Sequence, residues 1–356
     1  MWKVLYWRCC TDMSKKHPSP SLPFRDLFQL RPKTIVRHGL DKLSGYIDFE
    51  AFRPKLDELC HYSENGRPHY DVVVMFRILI LQTLYDLSDE DTEYCIYDRR
   101  SFQDFVGLRG VDDIPDARTI WAFRERLGAE GARGLFDTFW KVMEEAGIKF
   151  SKGVAIDASF QEAPRERNSR EENKRIKEEG AAPAEWNAHK RAQKDMDARW
   201  AQKGKETHYG YKNHVAADVK TKLIRDYRVT PASDHDISVF EELIPEHTRD
   251  IYADSAYMSA WREDALKAAK KRPHIVKRKT RCSAPLTGRQ KHINHVIAKK
   301  RCRVEHVFGQ IKQFGGDTVR SIGMARCAVR VALVNIVYNM LRFACLKFQE
   351  QQALTV

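Results

Sequence analysis

Two short apolar runs, each ending on an aspartate, constrain this chain more than anything else in it. Gly153-Val-Ala-Ile-Asp157 and Asp250-Ile-Tyr-Ala-Asp254 are too short and too rich in strand-forming residues for helices, and read as buried strands. A carboxylate at the end of a buried strand is costly unless it finds a partner, a hydrogen-bond network or a metal ion. A third acid, Glu305, lies in the basic helical stretch 299–312. Two aspartates on strand ends and one glutamate on a helix form a set that can hold a pair of hard divalent cations. Mg²⁺ takes carboxylate oxygen and keeps several waters, which leaves positions for phosphate. Two such ions about 3.5–4 Å apart clamp the attacking and leaving oxygens of a phosphodiester.

Charge points to the same substrate. The 356 residues carry a net charge of +13 and a pI near 9.3, and the basic residues are spread along the whole length. Nucleic acid is the expected partner of such a chain, ahead of an acidic membrane surface, because no basic amphipathic anchor stands out. Hydrophobic residues at 42% and charged residues at 31% suit a soluble protein with a sizeable core. The eight cysteines form no C-x-x-C pair, so a reduced, cytoplasmic protein without structural zinc or disulfides is expected. The first residues are too short and interrupted for a signal peptide, and Met13 would serve as a start as well as Met1. The apolar stretch 325–346 also carries Arg326, Arg330, Asn335, Asn339 and Arg342, which predicts a packed helix and not a membrane span.

In chain order, residues 1–23 read as an irregular arm and 24–148 as a helical, DNA-binding domain. Helices are expected over 49–60 and 70–87. Ser88 caps the next one, and either Asp116 or Thr119 caps a helix whose exposed side carries Arg118, Arg124 and Arg126. These arginines belong either to a helix-turn-helix-like DNA reader or to a solvated face. The pattern changes to strand period near residue 150. Segment 162–205 has few large apolar residues beyond Trp186 and Trp200, so it cannot build its own core. It reads as a charged insertion, either ordering on DNA or simply solvated. Strands follow at 208–218 and 223–229, a helix at 236–244, the Asp254 strand, a helix at 259–270, a strand at 272–277, a basic loop over 279–291 and a long helix over 292–314. That order predicts an α/β fold: an RNase H-like catalytic domain over 149–348, with a mixed five-stranded sheet flanked by helices and preceded by the all-helical N-terminal part. In such a sheet the strands of Asp157 and Asp254 lie side by side.

Arg301, Glu305 and Lys312 share one helical face by spacing, with Val304, Phe308 and Ile311 on the side that packs. Arg301–Glu305 is also an ordinary i, i+4 surface pair, and each aspartate alone could simply cap a turn. The motifs in order resolve this. Ile156-Asp-Ala-Ser159 with Glu162-Ala-Pro164, His208-Tyr-Gly-Tyr-Lys-Asn-His214, His235-Asp236 and Ala253-Asp-Ser-Ala-Tyr257 resemble the catalytic motifs of DDE transposases of the IS5 group, within the IS4-like set of bacterial insertion-sequence enzymes. Phe76-Arg-Ile-Leu-Ile-Leu-Gln82, Leu87-Ser88-Asp89 and Ile114-Pro-Asp-Ala-Arg-Thr-Ile120 are similar to the helical N-terminal part of that group. The family's glutamate motif places a tyrosine where this chain has Ala298, so no role of that tyrosine transfers.

The resemblance implies a metal-dependent enzyme using Mg²⁺, or Mn²⁺ in its place, with two ions held by Asp157, Asp254 and Glu305. It implies binding to the element's terminal inverted repeats, strand cleavage and joining to target DNA, without a covalent protein–DNA intermediate, by a homodimer on DNA. Lys212, Arg301 and Lys312 are the expected phosphate contacts near the scissile bond, with Arg118 and Arg124 as DNA contacts of the helical part. The competing readings are an RNase H-like nuclease that cuts without joining, and an inactive transposase-derived DNA-binding protein.

Overall fold

A computed structural model describes residues 39–60, 69–108, 114–164, 166–257, 260–277 and 286–354. The arm over 1–23, both candidate start residues and most of the basic loop after Lys279 lie outside these. The described residues ahead of the first strand carry only helices: α1 (Gly39–Tyr46), α2 (Arg53–Leu59), α3 (Val72–Tyr85), α4 (Asp89–Asp98), α5 (Arg100–Val106) and α6 (Ala117–Glu145). Their starts follow capping chemistry. Asp71 accepts from the amides of Val73 and Val74 at α3, and Ser88 from that of Asp91 at α4. At α6 the cap is Asp116, which accepts from the Thr119 amide at 2.7 Å. Gly128, at φ 58° and ψ 178°, kinks α6 midway.

Six strands form the sheet: β1 (Gly153–Glu162), β2 (Arg199–Lys203), β3 (Glu206–Asp218), β4 (Ile224–Pro231), β5 (Asp250–Ala253) and β6 (Arg272–Ile275). Their order is β2-β3-β1-β5-β6, with β4 also on β3. β1 is antiparallel to β3 and parallel to β5, so the expected adjacency of the two aspartate strands is present. The expected five strands become six because β2 lies within the charged segment 162–205. Gly204, at φ +63°, turns the chain between Lys203 and Glu206, which face each other across the ladder, as a two-residue hairpin requires.

That segment is no loose arm. It forms α7 (Arg170–Glu179) and α8 (Ala188–Gln193) and buries Ile176 and Trp186. Its anchor is polar. Asp195, 2% exposed, accepts from Tyr211 Oη with both oxygens, from the amides of Asp197 and Ala198, and from the amide of Gly323. A fully satisfied buried carboxylate thus replaces the apolar core that the composition lacks.

The helix expected over 236–244 closes only as the 3₁₀ turn Asp236–Val239. There Ser238 donates its hydroxyl to the His235 carbonyl, a local bond that competes with helix propagation. The chain ends with α9 (Ala260–Ala268), α10 (Gly288–Gln313) and α11 (Met324–Leu354). α10 begins four residues earlier than expected, because Thr287 and Gln290 make a capping box. α11 is long and apolar enough to cross a membrane by length and composition, yet it is mostly buried in the protein. It packs against α1, α3 and α6, and its Asn339 bonds the Ile224 backbone in both directions.

Alternation along the strands divides the sheet's side chains between two cores. Ala155, Val215 and Ala217 join the larger one, which runs from Leu40 through Phe136 to α10 and α11. The helices before β1 therefore share their core with the sheet. Val154, Ile156, Ala216, Ile251 and Ala253 pack on the other side against Phe240, Leu243, Tyr257 and Leu266.

Candidate active site

β5 pairs with β1 only as far as Ala155, while β1 continues along β3 to Glu162. Asp157 stands two residues beyond the last β1–β5 pair, and Asp254 directly follows β5. Both therefore emerge at the carboxyl ends of adjacent parallel strands, where α/β sheets open into crevices. α10 packs against β1 and β5 and closes one wall. Asp157, Asp254, Arg301, Glu305 and Lys312 line a single cleft of about 740 Å³. Val304 and Ile311 are buried behind Glu305 and Phe308 nearly so, as the helical spacing requires.

Arg301 joins two of the acids. Its Nη1 donates to Asp157 Oδ2 at 3.1 Å, and its Nη2 donates to Glu305 Oε1. Asp157 Oδ1 also accepts from the Ala158 amide at 2.9 Å. Burial nevertheless raises the Asp157 carboxyl above its ordinary range, and nearby Asp236 adds to this; the Ala158 amide, Arg301 and Lys203 oppose it. Such a carboxylate gains from any further cation brought close.

The donor set suits a hard cation, being carboxylate oxygen from three elements, and Asp157 and Glu305 already share one cationic group in Arg301. Among the described residues, no three His, Cys, Asp or Glu side chains are gathered closely enough to hold one ion together. Asp157, Asp254 and Glu305 line one cleft without forming a closed cage, and the guanidinium lies between two of them.

Other expected site residues fall differently. Lys212 is nearly buried, donating to Asp236 Oδ1 at 2.8 Å and to the Asp234 carbonyl at 2.7 Å, above the Phe160 ring. It lines the inner end of the cleft with Asp157, Asp236 and Asp254. Lys312 is exposed at the rim, its Nζ 4.0 Å from Asp317. Arg118 is exposed on α6, away from the residues lining the cleft. Arg124, expected on the same solvated side, is instead clamped to Asp89 at 2.7 and 2.8 Å and bonded to Gln82. The first turn of α4 turns its acid toward α6 and takes this arginine out of solvent.

The structure adds residues that the sequence reading left without a role. Asp236 is a fourth acid at the cleft, and Tyr257 lies beneath it. On the other side, His208 stacks on Phe160 with centroids 4.0 Å apart and has its Nδ1 2.7 Å from Glu162. Their positions inside the matched motifs were the available signal.

Two family models match the chain. One, "Transposase DDE domain", covers residues 148–340, and the other, "Transposase domain (DUF772)", covers residues 28–126. Among solved structures, a cryo-EM structure of a piggyBac transposase synaptic complex with hairpin DNA is similar at a TM-score of 0.43 and 12% identity, over 90% of this chain and 78% of that one. The first family model spans more than half of the sequence and contains Asp157, Asp254 and Glu305: the chain belongs to the DDE-domain transposases.

Proposed function

We propose that the protein is an insertion-sequence transposase of the IS5 group, with an RNase H-like catalytic sheet. It cuts at the terminal inverted repeats of its element and joins the freed 3′ ends to target DNA. The observation that carries this reading is the meeting of Asp157, Asp254 and Glu305, from two strand ends and a helix, in one cleft with a cationic group already shared by two of them. Asp157, Asp254 and Glu305 would hold Mg²⁺ or Mn²⁺, a pair of ions in the active complex, which supplies a nucleophilic water at neutral pH and charge neutralisation at the phosphate.

The chain's own groups do the rest. Arg301 and Lys312 flank Glu305 on α10 and offer positive charge to phosphates on either side of the scissile bond. Lys212 holds Asp236 at the inner end of the cleft and brings positive charge to that side. Terminal repeats are read by the helical residues within 24–148, with Arg118 on an exposed face, while Arg124 serves Asp89. Two ends must be processed together, so the working assembly is a homodimer on DNA.

The test is incubation with duplexes carrying the flanking ends of the gene locus, in Mg²⁺ or Mn²⁺, beside Glu305→Gln. Cleavage at the repeat boundary and joining to a plasmid, both lost in the variant, are expected. Cleavage without joining would leave a nuclease, and binding without cleavage in either metal would leave a DNA-binding relic.

A further inference from the structure

The inner end of the cleft contains a hydroxyl that nothing above uses. Tyr257 is 1% exposed and lines this chamber with Asp157, Lys212, Asp236 and Asp254. Its place is fixed from two sides. Its amide donates to the Asp254 carbonyl at 3.1 Å, closing the turn Ser255–Tyr257. Its ring lies against Phe240, with centroids 5.0 Å apart. The Oη atom is buried and has no hydrogen-bond partner among the described residues. Burial first, then the charges of Asp236, Asp157 and Asp254, push its ionisation well above the ordinary phenol range. The group is therefore a permanent donor, facing a chamber rich in carboxylate. A buried donor without an acceptor is expensive, and native structures retain one where water, an ion or catalysis accounts for it.

We infer that Tyr257 Oη holds the attacking water of the cleavage step, donating to its oxygen and leaving a lone pair directed at the scissile phosphorus. This rests on the transposase reading above. In the step, the water oxygen bonds to phosphorus and the P–O3′ bond breaks. One water proton leaves to solvent, and the departing 3′-oxygen takes one up. In strand transfer the nucleophile is instead a 3′-OH carried by DNA. The nucleic-acid backbone positions that oxygen, and Tyr257 is not needed.

The two reactions share acids and cations, so they separate this role from a structural one. Tyr257→Phe keeps the ring on Phe240 and removes only the donor. It is assayed on an uncut terminal duplex, which requires hydrolysis, and on a precut duplex with a free 3′-OH, which requires joining alone. Hydrolysis should fall about tenfold or more, the equivalent of one lost hydrogen bond in the transition state, while joining stays within about twofold. A crystal structure of the metal-free protein should show a water bonded to Tyr257 Oη, and the variant should melt no higher than the parent. Equal loss in both reactions, loss in neither, or a raised melting temperature with no such water would overturn the inference. A parent protein that acts on neither substrate would instead remove the transposase reading on which the inference stands.

Discussion

Two charged crevices in this molecule are built on opposite principles. The first lies where α3, α4 and α6 meet α11, and its acids are matched by arginines. Asp86 takes Arg330 at 2.8 Å and Arg320 at 3.0 Å, Asp89 takes Arg124, and Glu125 takes Arg326 at 2.9 Å. Asp86 holds the left-handed conformation at φ 50°. Its carboxylate approaches Gly315 so closely that a Cβ there would lie 2.4 Å away. The second crevice is the cleft. There Asp157 and Glu305 share one guanidinium, Asp236 leans on Lys212, burial opposes the charge on Asp157, and the Tyr257 donor finds no protein acceptor. A crevice whose charges are internally matched holds elements together. One with carboxylate in surplus and a donor to spare is arranged for something brought from outside.

Substitutions should separate the two. The largest effect is expected in the cleft: Asp157→Asn should lower cleavage about a thousandfold or more, the several kcal/mol that metal-assisted charge stabilisation supplies. The melting temperature of the metal-free variant should not fall, because burial disfavours the charge being removed. In the matched crevice the pattern reverses. Asp86→Ala leaves Arg330 buried without its partner, and urea titration should show a loss of about 3–4 kcal/mol. A cleavage defect there should be no larger than the loss of folded protein explains.

His214 sharpens the comparison by pH. It is fully buried, and its Nε2 lies 2.8 Å from Thr230 Oγ1. Burial depresses its pKa to about 4, with Asp236 opposing. The unfolded chain takes up this proton near pH 6.5 and the folded one only near 4, so the stability is complete above pH 6.5 and is lost as pH falls toward 4. Stability measured by urea should drop by about 3 kcal/mol over that window from this group, and His214→Gln should reduce the drop. The smallest effect belongs to the rim. Lys312→Ala should weaken binding to end duplexes by several-fold and reduce the salt slope by about 1.

The sequence made the functional end of the molecule more legible than its supports. Asp157 and Asp254 could be found because short apolar runs reach a carboxylate where a sheet must stop. Glu305 could be found because Arg301 and Lys312 repeat on its face while Val304, Phe308 and Ile311 repeat on the other. β2 was hidden because its five residues, Arg199-Trp-Ala-Gln-Lys203, sit in a charged stretch and only Gly204 marks the turn. Asp195 was hidden because its partners come from residues as distant as Tyr211 and Gly323. Arg124 has helical spacing indistinguishable from that of exposed Arg118, and only the packing of α4 decides between them. An unsatisfied hydroxyl such as that of Tyr257 has no sequence signature, since it is defined by what surrounds it.

The central claim is that Asp157, Asp254 and Glu305 act as one cation-binding centre. The most direct measurement is Mn²⁺ binding, followed by electron paramagnetic resonance, to the protein saturated with an end duplex. Asp157→Asn, Asp254→Asn and Glu305→Gln are measured beside the parent. The account predicts binding to the parent and its loss or sharp weakening in each single variant, with Asp86→Asn unchanged. Binding that survives all three substitutions would contradict it.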